Sequence, residues 1–306
     1  MSAGGSVLDA MPEVQGRSLW VDARRRLFRN HAAVASMILL AIITLLAIFA
    51  PMVWPYTYDE VNYGLVNCAP GWWPSDSVGC KAYGAHWFGT DPLGRDLFVR
   101  VLYGARISLA VGLVATLVSL IIGVLYGATA GFVGGRIDSA MMRFVDILYS
   151  LPFIFFVIIL MVVFNRNFIL MFVAIGAVEW LTMARIVRGQ TLSLKEREFV
   201  EAARAAGVKP LAIIARHIVP NLLGPVVVYV TLTVPSVILT ESFLSFLGLG
   251  IQEPLTSWGV LISDGKDQME TAPWLLTFPA VFMALTLFCF NFIGDGLRDA
   301  LDPKDR

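Results

Sequence analysis

The residues that could do chemistry are few. His31, His86 and His217 are far apart in sequence and topology and suggest neither a metal site nor a nucleophilic triad; His86 by itself reads as a solvated loop residue. The three cysteines have no metal-type spacing. Cys68 and Cys80 share one loop, where they either pair in an oxidising compartment or stay as two free thiols. No phosphate-binding loop is present: Gly265-Lys266 is followed by Asp267 and lacks the preceding glycine at the right spacing. The chain is therefore expected to bind no cofactor or metal, and not to hydrolyse ATP alone. Nothing in it looks like an enzyme site. Asp146, Glu179 and Glu241 stand in apolar runs, where a mid-bilayer charge costs about 2.5–3.5 kcal/mol. Arg143 and Arg185 are close enough in sequence to pair with Asp146 and Glu179 near an interface. Glu241, followed by Ser242 and Ser245, suits a pathway or a neighbouring helix's hydroxyls. No second acid, histidine and cation form a proton relay, which speaks against a proton-coupled carrier.

One polar stretch offers binding rather than catalysis. Residues 196–221 read EREFVEAARAAGVKPLAIIARHIVPN. Phe199, Ala202, Ala203 and Ala206 recur at helical spacing and predict one apolar face, with Arg197 and Glu201 at i and i+4 on the other. Gly207 suits a left-handed helix end, and Pro210 a new helix start. Leu211, Ile214, Ala215 and Ile218 repeat the pattern before Pro220. Such a hairpin fits a groove on another protein; it also suits packing on its own spans or on lipid headgroups.

The elements that must position these residues are membrane helices. Of 306 residues 57% are hydrophobic and only 15% are Asp, Glu, Lys or Arg, against about 25% in soluble domains. Net charge is zero, so nothing points to nucleic acid. A bilayer core needs roughly 20 apolar residues of helix, and six stretches qualify or nearly so: 32–54, 107–131, 144–164, 168–184, 222–247 and 273–293. With the N-terminus inside, Lys81, Arg95, Arg100, Arg106, Arg166 and Lys266 lie outside and the rest of the 23 Lys and Arg inside. That bias predicts six spans with both termini cytoplasmic and puts residues 196–221 in the cytoplasm. The expected organisation is a cytoplasmic segment 1–31, a first span 32–54, an external loop 55–106, a five-helix core 107–295 and a cytoplasmic tail 296–306. The external loop divides into an irregular part, 55–85, and an amphipathic helix near 96–103 lying on the membrane surface. Gly123, Gly127 and Gly131 share one helical face in the second span; they serve close helix packing or a substrate passage beside a thin helix.

Glu201-Ala202-Ala203, three residues, Gly207, nine residues, then His217-Ile218-Val219-Pro220 resembles the EAA loop of permease subunits of ABC importers. Two positions depart from that pattern, His217 for Ile and Val219 for Leu. Phe88-Gly89-Thr90-Asp91, Leu93-Gly94-Arg95-Asp96, Gly134-Gly135-Arg136-Ile137-Asp138 and the run from Glu241 to Gly250 resemble the C-type subunits of the peptide and nickel permease group. Gly16-Arg17-Ser18-Leu19-Trp20 and residues 298–306 look like that group's oligopeptide branch.

The resemblance implies an all-α membrane protein with the type I ABC importer permease (MetI-like) fold, in a bacterial inner membrane. It implies an EAA loop over residues 190–221 in which Glu201, Ala202, Ala203, Gly207 and Pro220 dock on an ATPase. The implied partners are a second permease subunit, two cytoplasmic ATPases that use ATP and Mg, an extracytoplasmic peptide-binding protein and the lipid bilayer. The transport substrate would be an oligopeptide, with dipeptide or nickel import as relatives. A self-contained secondary carrier or channel, or a membrane scaffold, remains as a reading of another class.

Overall fold

The computed structural model describes residues 19–74, 80–82, 84–164 and 168–301. Gly16, Arg17 and Ser18, Arg166 and the tail 302–306 lie outside the described residues. Among the described residues eleven α-helices run in order: α1 Leu19–Arg29, α2 His31–Val53, α3 Leu97–Val133, α4 Gly135–Ser150, α5 Phe153–Phe164, α6 Phe168–Leu194, α7 Glu198–Ala205, α8 Pro210–Ile213, α9 Val219–Phe246, α10 Trp258–Asp267 and α11 Trp274–Leu301. A π-helical stretch, Ile214–Ile218, joins α8 to α9.

Among the described residues four helices are long and apolar enough to cross a membrane: α2, α3, the run Pro210–Phe246, and α11. Their outward residues suit lipid. On α2, Ile38, Ile42, Leu45 and Phe49 are exposed, while Ala33, Ile43 and Ala47 are buried. The predicted third span, 144–164, is two helices. Leu151 is extended between α4 and α5, because Pro152 disfavours helix at the residue before it. The fourth run belongs to α6, which continues ten residues past the predicted end and carries Glu179, Arg185 and Arg188.

The tightest pairing is α3 on α6, and the glycine face makes it. A Cβ on Gly123 would lie 2.5 Å from the Met183 Cβ, and one on Gly127 2.3 Å from the Ala184 carbonyl oxygen. The face is used for helix packing of the small-residue kind. The α4 start is tied to the α6 end by a bidentate ion pair: Arg188 Nε and Nη2 donate to Asp138 at 2.5 and 2.6 Å. The Arg188 guanidinium holds the Asp138 carboxyl below the usual aspartate range. Lys195 Nζ donates to the Gly131 carbonyl at 3.1 Å and closes the same corner.

On the other side of the bundle, two expectations fail. No separate surface helix exists near 96–103. Those residues are the first turns of α3, capped by Asp96, whose carboxylate accepts from the Val99 amide at 2.8 Å. Residues 97–102 are buried on every side, among Trp258, Leu261, Trp274 and Leu275. His86 is not solvated either. It is 6% exposed, contacts Asp96 Oδ2 at 2.8 Å and stacks on Tyr56. Aromatic packing is the cause: Trp54, Trp87, Phe88 and Phe98 form a continuous cluster, and Phe88 stacks on Phe278 of α11. The loop thus has a core of its own. Cys68 and Cys80 are joined in a disulfide, beside a two-residue parallel strand pair, β1 Ala69–Pro70 with β2 Lys81–Ala82.

An ionic hub holds this layer together. Asp91 Oδ1 accepts from the amides of Leu93 and Arg95, both at 2.9 Å, and its Oδ2 from Arg95 Nε at 2.6 Å. Arg100 Nε lies 3.5 Å from the same oxygen. Nothing in the local sequence pattern marks Arg100, which is 1% exposed, as a core residue.

Candidate functional site

The polar stretch builds a hairpin at the end of α6. Residues 198–205 are good helix formers and make α7. Gly207, at φ +74°, reverses the chain; its amide donates to the Arg204 carbonyl and that of Val208 to the Ala203 carbonyl. These bonds satisfy the carbonyls left open at the helix end. Pro210 then opens α8, as its missing N–H allows.

The two faces of the hairpin differ from the expected ones. Of Phe199, Ala202, Ala203 and Ala206, only Ala203 is buried, together with Val200. Val200 and Ala203 join Ile213, Ile214 and Ile218 against Ala128 and Phe132 of α3 and Val187 of α6. The Arg204 guanidinium lies over the Phe132 ring at 5.0 Å. Phe199, Glu201, Ala202, Ala206 and Gly207 are exposed, and so is Pro220. Arg197 and Glu201 form no ion pair among the described residues. In the second arm Ile213 takes the place expected for Leu211, which is 76% exposed, and Ala215 also faces out. The π-helical turns of Ile214–Ile218 widen the helix and rotate its faces away from 3.6-residue spacing. Hence one side of the hairpin is anchored to α3 and α6, and the other leaves an apolar and acidic strip open.

A cavity of about 740 Å³ lies between α4, α5, α6 and α9. Aromatic side chains dominate its wall, among them Phe144, Tyr149, Phe156, Trp180 and Tyr229, with Glu179, Thr182 and Ser236 as the polar groups. The acids are not paired as their sequence neighbours suggested. Arg185 Nη2 donates to Asp146 at 2.8 Å and its guanidinium lies over Tyr149 at 4.2 Å. Arg143 has no part in that pair, and Glu179 has no hydrogen bond or ion pair among the described residues.

Glu241 is fully buried near the far end of α9. Its Oε1 accepts from Ser245 and Ser257, both at 2.7 Å. Ser257 caps α10, and the next residue, Trp258, donates its amide to Ser108 of α3 and its indole N–H to the Val101 carbonyl, each at 3.1 Å. The expectation of neighbouring hydroxyls for Glu241 is met through α10, a helix the hydropathy pattern did not reveal. No group of three His, Cys, Asp or Glu side chains able to hold a metal occurs among the described residues.

Among the described residues the chain thus has four membrane-length helices, one of which borders the cavity, and a hairpin with an exposed face, the features of a multi-pass membrane protein. Residues 119–306 match the family described as binding-protein-dependent transport system inner membrane component, and residues 18–70 match the N-terminal TM domain of oligopeptide transport permease C. The chain belongs to the family of binding-protein-dependent transport system inner membrane components, and is a transport component rather than an enzyme. It is 61% identical over 294 residues to the oligopeptide transport system permease protein OppC of Escherichia coli K12, covering 96% of this chain and 94% of that one. It is 58% identical over 302 residues to OppC of Haemophilus influenzae, covering 98% and 94%. Its fold is similar to a chain of the inward-facing MetNI methionine ABC transporter, with a TM-score of 0.54 at 20% identity, covering 67% of this chain and 98% of that one.

Proposed function

We propose that this chain is a permease subunit of an ATP-driven oligopeptide importer in a bacterial inner membrane. It would contribute six spans, with both termini in the cytoplasm and α4–α5 serving as one broken span. A second permease subunit would complete the translocation pathway, of which the cavity beside Glu179 is this chain's share. Two cytoplasmic ATPases would use ATP and Mg, and an extracytoplasmic peptide-binding protein would deliver substrate. The external loop 55–106 and α10 would form the face that receives it.

The observation that carries the reading is the division of the hairpin into an anchored face and an open one. Val200 and Ala203 are held against α3 and α6, while Phe199, Glu201, Ala202, Ala206 and Leu211 stand free. An amphipathic helical wedge of that kind suits a groove in an ATPase. Gly207 and Pro220 set the turn and the passage into α9, so movement of the ATPases would reach the spans through a stiff connection.

The test is Glu201→Lys in the transporter reconstituted with its ATPases and binding protein. Glu201 is exposed and its side chain has no hydrogen bond or ion pair among the described residues, so folding and insertion should be unchanged. Peptide uptake per ATP hydrolysed should fall about tenfold, the effect of losing one charge-assisted contact. Unchanged coupling in that variant, or peptide uptake by this chain without any ATPase, would refute the assignment.

A further inference from the structure

Of the acids carried by α4, α6 and α9, Glu179 alone has no hydrogen bond or ion pair among the described residues. Asp138 is paired with Arg188, Asp146 with Arg185, and Glu241 accepts from two serines. Glu179 is half-buried, lines the 740 Å³ cavity, and has no partner among the described residues. A half-buried carboxylate in an apolar helix is costly unless it is paired, and marks a place where a cation belongs. The nearest basic residue along α6, Arg185, is already held by Asp146 and by the Tyr149 ring. No basic side chain among the described residues matches it, which leaves room for a cation from outside the chain.

From these observations we infer that Glu179 binds a primary ammonium group of the transported peptide inside the cavity. The chemistry narrows the choice. A metal ion would need further His, Cys, Asp or Glu ligands, and no such group exists among the described residues. An anion is repelled by the carboxylate. An alkylammonium needs one carboxylate, a hydroxyl acceptor and aromatic faces, and the wall supplies Glu179 and Thr182, with Tyr229 and Trp180. The Arg185 guanidinium over Tyr149, on the same wall, is an instance of a cation held on one of these rings. A volume of this size falls in the range of small-ligand sites. The remaining lining is apolar apart from the Tyr149 phenol and Ser236, which leaves side-chain identity largely unread and makes the ammonium the feature common to the peptides recognised.

The inference rests on the cavity being part of the peptide pathway, and the experiment separates the two. Ser236→Cys places a thiol on the α9 wall. Cys289 is buried and Cys68 and Cys80 are bonded to each other, so maleimide labelling of this chain in the assembled transporter reports residue 236. Shielding is measured with Ala-Ala-Ala, N-acetyl-Ala-Ala-Ala and N-acetyl-Ala-Lys-Ala, with and without Glu179→Gln. Either ammonium-bearing peptide should shield at about tenfold lower concentration than the peptide lacking one, and Glu179→Gln should erase that difference while weak shielding persists. The first and third peptides tell a terminal ammonium from a lysine side chain. A difference that survives Glu179→Gln, or no difference in the Ser236→Cys chain that keeps Glu179, overturns the ammonium contact while leaving the pathway standing. No shielding by any peptide overturns the pathway reading and the contact with it.

Discussion

Removing the Asp91 carboxylate should be among the most damaging single changes on the external layer. In Asp91→Ala, the amides of Leu93 and Arg95 lose a shared acceptor and Arg95 Nε loses its 2.6 Å bond. Arg95 keeps Glu253 at 2.9 Å and is partly rescued. Arg100 is not: it is 1% exposed, and its Nε and Nη1 have no hydrogen-bond partner. Breaking a buried pair from one side costs about 3–5 kcal/mol. Asp264 and Glu253 line the 300 Å³ cavity around Arg100 and still offset part of its charge, so about 3 kcal/mol is expected. Asp91→Asn keeps an acceptor for the two amides and should cost about 2 kcal/mol, the worth of a charge-assisted bond. Arg100→Met in the Asp91→Ala background should restore stability, because it removes the stranded charge rather than a useful contact. The assay is thermal unfolding of the detergent-purified transporter, followed through tryptophan emission. An Asp91→Ala midpoint equal to that of the unmodified protein would refute the reasoning. So would a double variant whose loss equals the sum of the single losses, since contacting groups should not add.

Two further outcomes are expected. Gly127→Ala should destabilise the α3–α6 pair by about 1–3 kcal/mol, because the new Cβ meets a backbone oxygen that cannot turn aside. Gly189→Ala, on α6 with nothing within 4 Å of the added carbon, should be neutral or stabilising, so its thermal midpoint should lie at or above that of the unmodified protein while that of Gly127→Ala lies below. Asp138→Asn should lower stability at neutral pH. A depressed carboxyl pKa contributes stability that is present above its unfolded value and lost as pH falls through the folded value. The gap between variant and unmodified protein should therefore close only below the ordinary value of 3.8, as measured by unfolding midpoints across an acid series.

Long apolar runs announced α2, α3, α9 and α11, because hydropathy is a local property and lipid rewards it directly. Gly207 and Pro210 announced the hairpin turn, since both residues restrict the backbone on their own. What was illegible depends on partners distant in the chain. Val200 and Phe199 are equally apolar neighbours, and only contact with Ala128, Phe132 and Val187 decides which is buried. Residues 97–102 looked amphipathic, yet α10, α11 and the aromatic loop enclose them fully. Arg185 pairs with Asp146, 39 positions away in the chain, rather than with nearer Glu179, because the crossing of α4 and α6 overrides sequence proximity. His86 read as solvated because nothing local signals the Tyr56 ring stacked on it.

The run Pro210–Phe246 spans 37 residues with no break in helical structure, which makes it about 55 Å long. One end is the second arm of the hairpin, the middle carries Tyr229 and Ser236 into the cavity wall, and Glu241 near the other end grips α10 through Ser257. A single rod of this kind works as a lever: a tilt of about 5° pivoting at one end displaces the other by about 5 Å over that length. Its compliant points are the π-helical stretch, Pro225 and Pro235, where backbone hydrogen bonding is loosest. Force applied at the hairpin would thus arrive at the opposite rim as geometry, without a relay of side-chain rearrangements in between.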